Sequence, residues 1–194
     1  MITFANRASA VLYGFLKDRS FEKPFLLPAN VCPVVPLSMM KAGVDFEFVD
    51  IDARHTMSEG KALEKVYSGA YSGLLFVHSY GKSFDNKGFY SELKAINPEL
   101  CIIDDRCLCK PELEDVVPEK VDLVLFSTGY AKYVELSYGG FGITSNPISF
   151  EIGGVLFPIQ KKMKVVNNYT LKTALRILNV MNCLLITLGL IVLL

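Results

Sequence analysis

The sequence predicts an α/β domain built on a mostly parallel sheet with helices on both faces. Two observations lead there. Five short apolar runs lack polar alternation, as strands covered on both faces require. Segments with helical spacing of apolar residues fall between them, the alternation expected of a doubly wound sheet.

The elements follow in chain order. Ala8, Val11, Leu12, Phe15 and Leu16 fall at i, i+3, i+4, i+7 and i+8, so an amphipathic helix is expected over Arg7–Lys17, with Asn6 as its N-cap. The apolar runs are Phe25-Leu26-Leu27, Phe46-Glu47-Phe48-Val49, Leu74-Leu75-Phe76-Val77, Leu100-Cys101-Ile102-Ile103 and Leu123-Val124-Leu125-Phe126. Between them the pattern predicts helices over Val34–Ala42, opening after Pro33, over Ser58–Tyr67, and over Lys87–Ile96. In the last of these, Phe89, Leu93 and Ile96 share one face.

Length and composition fit one domain, since 194 residues with 51% hydrophobic content can bury a sizeable core. Charge divides the chain. The first 151 residues carry 15 basic and 20 acidic groups, while the last 43 carry five basic groups and no acidic one. With Asn146-Pro147 and Gly153-Gly154 nearby, this places a boundary near 145–160: a main domain over 1–150 and a basic, apolar segment over 151–194. An acidic main body gives no nucleic-acid surface. The five cysteines are odd in number and lack zinc-like pairing, so reduced thiols and a cytoplasmic setting are expected, and Met1–Arg7 carries no signal-peptide pattern.

Most strands end in a polar or small residue: Pro28-Ala29-Asn30, Asp50, His78, Asp104-Asp105 and Ser127. Open α/β sheets bind ligands beyond these carboxyl ends. The pair Asp104-Asp105 reads either as a strand turning to solvent or as a magnesium site with Asp50 and Asp52 nearby, since hard cations take such oxygens. A receiver-type domain also uses an acidic pair and a lysine, but its pair follows the first strand. A lone lysine is ordinarily solvated, so Lys132 draws notice only through its place in an ordered set.

That set comprises Leu27-Pro28-Ala29-Asn30, Phe48-Val49-Asp50-Ile51-Asp52, Val77-His78-Ser79-Tyr80-Gly81, Ile103-Asp104-Asp105, Phe126-Ser127 followed by Lys132, and Gly139-Gly140. In this order the segments resemble the DegT/DnrJ/EryC1/StrS family, the pyridoxal-phosphate (PLP)-dependent sugar aminotransferases of fold type I, from Phe4 to Thr144. The resemblance implies the large domain of that fold without its small C-terminal domain, and PLP as cofactor. Lys132 would form the Schiff base and move the Cα proton; Asp105 would pair with the ring nitrogen. Ser127, Ser9 and the amides of Ala8 and Ser9 would hold the phosphate. Asp104 would be secondary, and His78 a packing or hydrogen-bonding residue.

It further implies a homodimer acting on a keto-sugar nucleotide with an amino-acid donor, in polysaccharide or surface-glycan biosynthesis. Three positions depart from the pattern: Arg7-Ala8-Ser9 replaces a Gly-Thr or Gly-Ser phosphate segment, Cys32 stands where an aromatic covers the ring, and Leu108 replaces a Gln or His. The alternative is a catalytically inactive remnant serving as a membrane-tethered or partner-binding module. From Ile177 to Leu194 the chain is uncharged, preceded by Lys161, Lys162, Lys164, Lys172 and Arg176. That tail reads as a membrane anchor with its basic flank on the cytoplasmic side, as a helix packed on the sheet, or as a C-terminus without function.

Overall fold

Strand β1 (Ile2–Ala5) opens the chain, although its hydropathy does not announce it. The computed structural model describes residues 1–111 and 120–150, so the basic segment, the apolar tail and Cys183 lie outside the described residues. Helix α1 (Ala8–Lys17) follows, then β2 (Phe25–Pro28), α2 (Val34–Ala42), β3 (Phe46–Val49), α3 (Glu59–Tyr67) and β4 (Gly73–Val77). A tight turn over Ser79–Gly81 leads to α4 (Lys87–Ile96), β5 (Cys101–Asp105), β6 (Leu123–Ser127) and β7 (Gly140–Ile143). All five apolar runs are strands, and each predicted helix forms within one residue of its expected bounds.

The strands form one sheet in the order β1-β7-β6-β5-β4-β2-β3. Only β7 is reversed, antiparallel to β1 and β6, so the remaining six run in one direction. Side chains alternate between two apolar layers, as the period-2 pleat demands. One layer gathers Leu27, Leu75, Ile103 and Leu125 against Val11, Phe15 and Met39 of α1 and α2. The other gathers Leu26, Leu74, Phe76, Ile102, Val124 and Phe126 against α3 and α4, through Ala62, Val66, Phe89, Tyr90 and Leu93.

Three expectations are corrected. The first helix begins at Ala8, not Arg7. Arg7 is the extended N-cap (φ −152°, ψ 151°), and Asn6 lies outside the helix because its carbonyl accepts the Gly139 amide (2.7 Å). β3 is not covered on both faces: it is an edge strand, with Phe48 49% exposed and Glu47 bonded to Lys65 and Tyr71. The acidic pair does not turn to solvent. β5 extends through both aspartates, and both are buried. Asp50 and Asp52 are held by Lys61 and Arg54, and no group of residues suited to a metal occurs among the described residues. Nor is any described helix long and apolar enough to cross a membrane.

β1 and β7 escaped the hydropathy pattern because β7 is half glycine, a composition that weakens a strand in isolation. Those glycines are sites of close approach. A Cβ on Gly140 would lie 2.3 Å from the Ala8 nitrogen, and one on Gly142 would lie 2.6 Å from Val11 Cγ1. α1 therefore rests directly on the backbone of β7, and its first turn is fixed at the strand edge. Gly140→Ala would force that helix off the sheet. We expect a loss of about 1–3 kcal/mol of unfolding free energy, measured by urea denaturation, the usual cost of overpacking a tight contact.

Candidate functional site

Along the carboxyl edge of the parallel strands the register brings Val77, Asp105, Ser127, Gly140 and Ala5 to one rim. Alternation then sorts their neighbours. Asp105 and Ser127 share parity with Ile103 and Leu125 and belong to the α1/α2 face. Asp104 and His78 share parity with Ile102 and Phe76 and belong to the α3/α4 face. Two consecutive acids thus serve two separate environments.

Asp104 is fully enclosed and fully bonded. His78 Nε2 lies 2.7 Å from its Oδ1, the Tyr90 hydroxyl donates to the same oxygen (2.9 Å), and Arg106 Nε donates to Oδ2 (2.8 Å). The Phe84 amide donates to His78 Nδ1 (3.0 Å), which fixes the ring proton on Nε2, facing the carboxylate. Burial would raise the Asp104 carboxyl, but the bond to His78, the charge of Arg106 and its hydrogen bond outweigh it and hold the group below the ordinary carboxylate value. Burial and the Asp104 carboxylate together push the Tyr90 hydroxyl well up.

Asp105 is buried in a different way. Its Oδ1 accepts the Cys107 amide (2.9 Å). Burial raises its carboxyl above the ordinary value, offset in part by hydrogen bonds from Cys107 and by the positive charge of Lys132. Lys132 itself is half-buried and makes no hydrogen bond or ion pair among the described residues. Its positive charge partly offsets the rise that burial gives the Asp105 carboxyl and the Cys107 thiol.

The loop bearing Lys132 is tied to the sheet at both ends. Thr128 Oγ1 donates to the Tyr138 carbonyl (2.8 Å), the Leu136 amide to the Thr128 carbonyl (2.8 Å), and Val134 is buried. Ala131, just before the lysine, takes the left-handed conformation at φ 56°, costly for a residue with a Cβ. Ser127 Oγ accepts the Gly129 amide (3.3 Å), which leaves its proton able to serve an anion. The half-buried Ser9 hydroxyl has no hydrogen-bond partner among the described residues, while the Ala8 nitrogen lies flush against Gly140. Cys32 is exposed between β2 and α2, and Leu108 is 38% exposed beyond β5. Cys32, Cys101, Cys107 and Cys109 are all unbridged.

Arg106, Tyr90 and Cys107 were not singled out from the sequence. Arg106 was findable by strand parity, since it lies two residues past Asp104 on the same face. Tyr90 was findable by helical spacing with Asn86, Phe89 and Leu93. The Cys107 contact depends on the turn after β5, which no local pattern announced.

No family model matches the sequence, and no curated protein matches it. Solved structures do match its fold. The sugar aminotransferase CalS13 from Micromonospora echinospora superimposes with a TM-score of 0.61 at 19% identity, over 75% of this chain and 42% of that one. PseC of Helicobacter pylori, an aminotransferase involved in the biosynthesis of pseudoaminic acid, gives 0.64 at 16% identity, over 75% and 40%. The GDP-4-keto-6-deoxymannose-3-dehydratase ColD gives 0.61 at 16%, also over 75% and 40%. The chain spans about two fifths of the length of these proteins. At such identity the likeness establishes the fold, that of the PLP-dependent aminotransferase neighbours.

The two aspartates should separate in their effect on stability. Asp104 has a lowered carboxyl, so its contribution is complete above the ordinary carboxylate value and is lost as pH falls through the folded value. Asp104→Ala should cost about 3–5 kcal/mol near neutral pH, the cost of stripping one partner from a buried ion pair, and less in acid. Asp105 has a raised carboxyl, so the folded state binds the extra proton and stability falls as pH rises through that window. Asp105→Asn should therefore stabilise the cofactor-free protein at neutral pH. Urea unfolding across pH reads both slopes.

Proposed function

We propose that the chain binds pyridoxal phosphate at the carboxyl edge, with Lys132 as the attachment amine and Asp105 at the ring nitrogen, and that it acts as a sugar aminotransferase. The observation that carries this reading is the buried carboxyl of Asp105 on the α1/α2 face, raised by burial and partly offset by the charge of Lys132. A carboxyl in that setting gains most from a cationic hydrogen-bond donor, and a pyridinium nitrogen is one. When bound, the cofactor supplies an aldehyde that captures amines and a ring that withdraws the electrons left by a departing Cα proton.

The residues of this chain do the rest. Lys132, free of hydrogen bonds among the described residues, would be the amine that attaches the cofactor and the base for the Cα proton. Asp105 would face the ring nitrogen and favour its protonated form. Ser127 and Ser9 offer hydroxyl donors for the phosphate, and the N-terminus of α1 favours its negative charge. Ser9 is better placed for this than the Ala8 amide, which is packed on Gly140.

The substrate proposed is a keto-sugar nucleotide, with an amino acid as nitrogen donor and a second copy of the chain completing the pocket. The sequence resemblance implies this, and the likeness to the sugar aminotransferase CalS13 and the aminotransferase PseC supports an amino-transfer reading. ColD, named for a dehydration, shares the fold, so the assay must include release of water as well as amino transfer.

The test is direct. Full-length protein incubated with PLP should develop visible absorption, and borohydride followed by peptide mapping should leave the cofactor mass on Lys132. Lys132→Ala should abolish both signals, and Asp105→Asn should weaken cofactor affinity by about tenfold or more, the worth of one charge-assisted hydrogen bond. A wild-type protein that takes no label overturns the proposal. A protein that is labelled but turns over no amino donor or keto sugar would be a binding protein without transfer activity.

A further inference from the structure

The cluster around Asp104 is more elaborate than a strand end requires. Asp104 and His78 are both wholly buried, and four groups converge on the pair: Tyr90, Arg106, Phe84 and, through Tyr90, Asn86. Asn86 Nδ2 donates to the Tyr90 hydroxyl (3.4 Å), and its Oδ1 is buried without a partner. Burying polar groups on this scale is costly unless they are hydrogen-bonded to one another, and a network so bonded makes the backbone that carries it rigid.

What the cluster fixes lies next along the chain. His78 grips both aspartates: its ring bonds the Asp104 carboxylate, while its amide donates to the Asp105 carbonyl (3.0 Å). Arg106 anchors the next residue from the other side. Its Nε holds Asp104, and its amide donates to the Leu125 carbonyl (2.9 Å). The peptide between Asp105 and Arg106 is thus held at its carbonyl by His78 and at its amide by Leu125, and the side chains of His78 and Arg106 both bond Asp104. With the backbone held there, the Asp105 side chain has one direction open, into the opposite layer.

We propose that Asp104 is a positioning residue that aims Asp105 at the cofactor ring nitrogen across the sheet, through His78, Tyr90 and Arg106. This rests on the assignment of Asp105 above. Asp104 touches neither substrate nor cofactor, and its effect passes through the Asp105 backbone. A misdirected carboxylate loses a directional hydrogen bond steeply with angle and distance.

The experiment compares two ligands on the full chain: PLP, and the same aldehyde phosphate with carbon in place of the ring nitrogen. Phosphate and aldehyde contacts are common to both, so the ratio of their affinities reads the nitrogen contact alone. Wild type should prefer PLP by about tenfold or more, and Asp105→Asn should remove the preference. Asp104→Asn and Tyr90→Phe, both near-isosteric, should lower the preference at least several-fold while leaving affinity for the carbon analogue unchanged. Preference at the wild-type level in both variants overturns the proposal, as does an equal loss of affinity for both ligands, which would mark the cluster as structural only. Should wild type show no preference, the assignment of Asp105 fails and this proposal fails with it. That outcome differs from the case in which Asp105→Asn responds and the Asp104 and Tyr90 variants do not.

Discussion

Two consecutive carboxylates on a strand buried on both faces cannot share an environment, and much of the site follows from that. The pleat sends Asp104 into the α3/α4 layer and Asp105 into the α1/α2 layer. An ionised group in an apolar layer persists only when its lone pairs are taken up by donors. Asp104 meets that demand from within the chain, with His78, Tyr90 and Arg106. Asp105 meets it in part, with Cys107 and the charge of Lys132. One strand end therefore carries an acid that is spent and an acid that retains capacity, and capacity is what binding requires.

The reversal of β7 is the second constraint. It carries the chain from the Lys132 loop back along the rim, so that Gly139 and Gly140 meet Asn6, Arg7 and Ala8 at the opening of α1. A helix start is the natural place for an anion, and a lysine loop beside a buried acid is the natural place for a carbonyl and a cation. The glycines are what let these two features approach each other. Ser127, paired with Gly140 in register, stands between them. Neither feature is unusual alone; their shared rim is the result of topology.

Much of this was legible in the sequence, and the parts that were not share a physical reason. Continuous apolar runs identified β2, β4, β5 and β6, because strands buried on both faces are apolar along most of their length, and the same signal picked out β3 although it lies at the edge. Helical spacing identified α1 to α4. β1 and β7 were illegible because their pairing is antiparallel and long-range, joining the two ends of the described domain through glycines that carry no hydropathy signal. At the site, Lys132, Asp105 and Ser127 emerged from ordered segments, but the sequence left Asp104-Asp105 as a single acidic unit. Separating the two needed the strand to run through both residues, and the run of hydrophobic residues stops one position earlier, at Ile103. The clamp on Asp104 draws on β4, α4 and the turn after β5, which no window of local sequence contains.

The fold alone leaves the reaction open, and the neighbours make the point concretely: a dehydratase and two aminotransferases superimpose on this chain about equally well. What discriminates among such chemistries is the supply of proton donors and acceptors around the reacting carbon. Among the described residues Lys132 is an amine that makes no hydrogen bond or ion pair. The imidazole of His78 is committed to Asp104 and the Phe84 amide on the far layer, with no ring nitrogen left to face the rim. The role proposed for Lys132, to hold the cofactor and to move protons, suits a reaction in which those duties alternate, as they do in amino transfer. Loss of a hydroxyl needs an acid beside the leaving oxygen while the amine is occupied elsewhere. In the proposed site Asp105 would be engaged by the ring nitrogen and so would not serve as that acid. With Lys132 and Asp105 in the roles proposed for them, the protons at hand would suit amino transfer better than elimination.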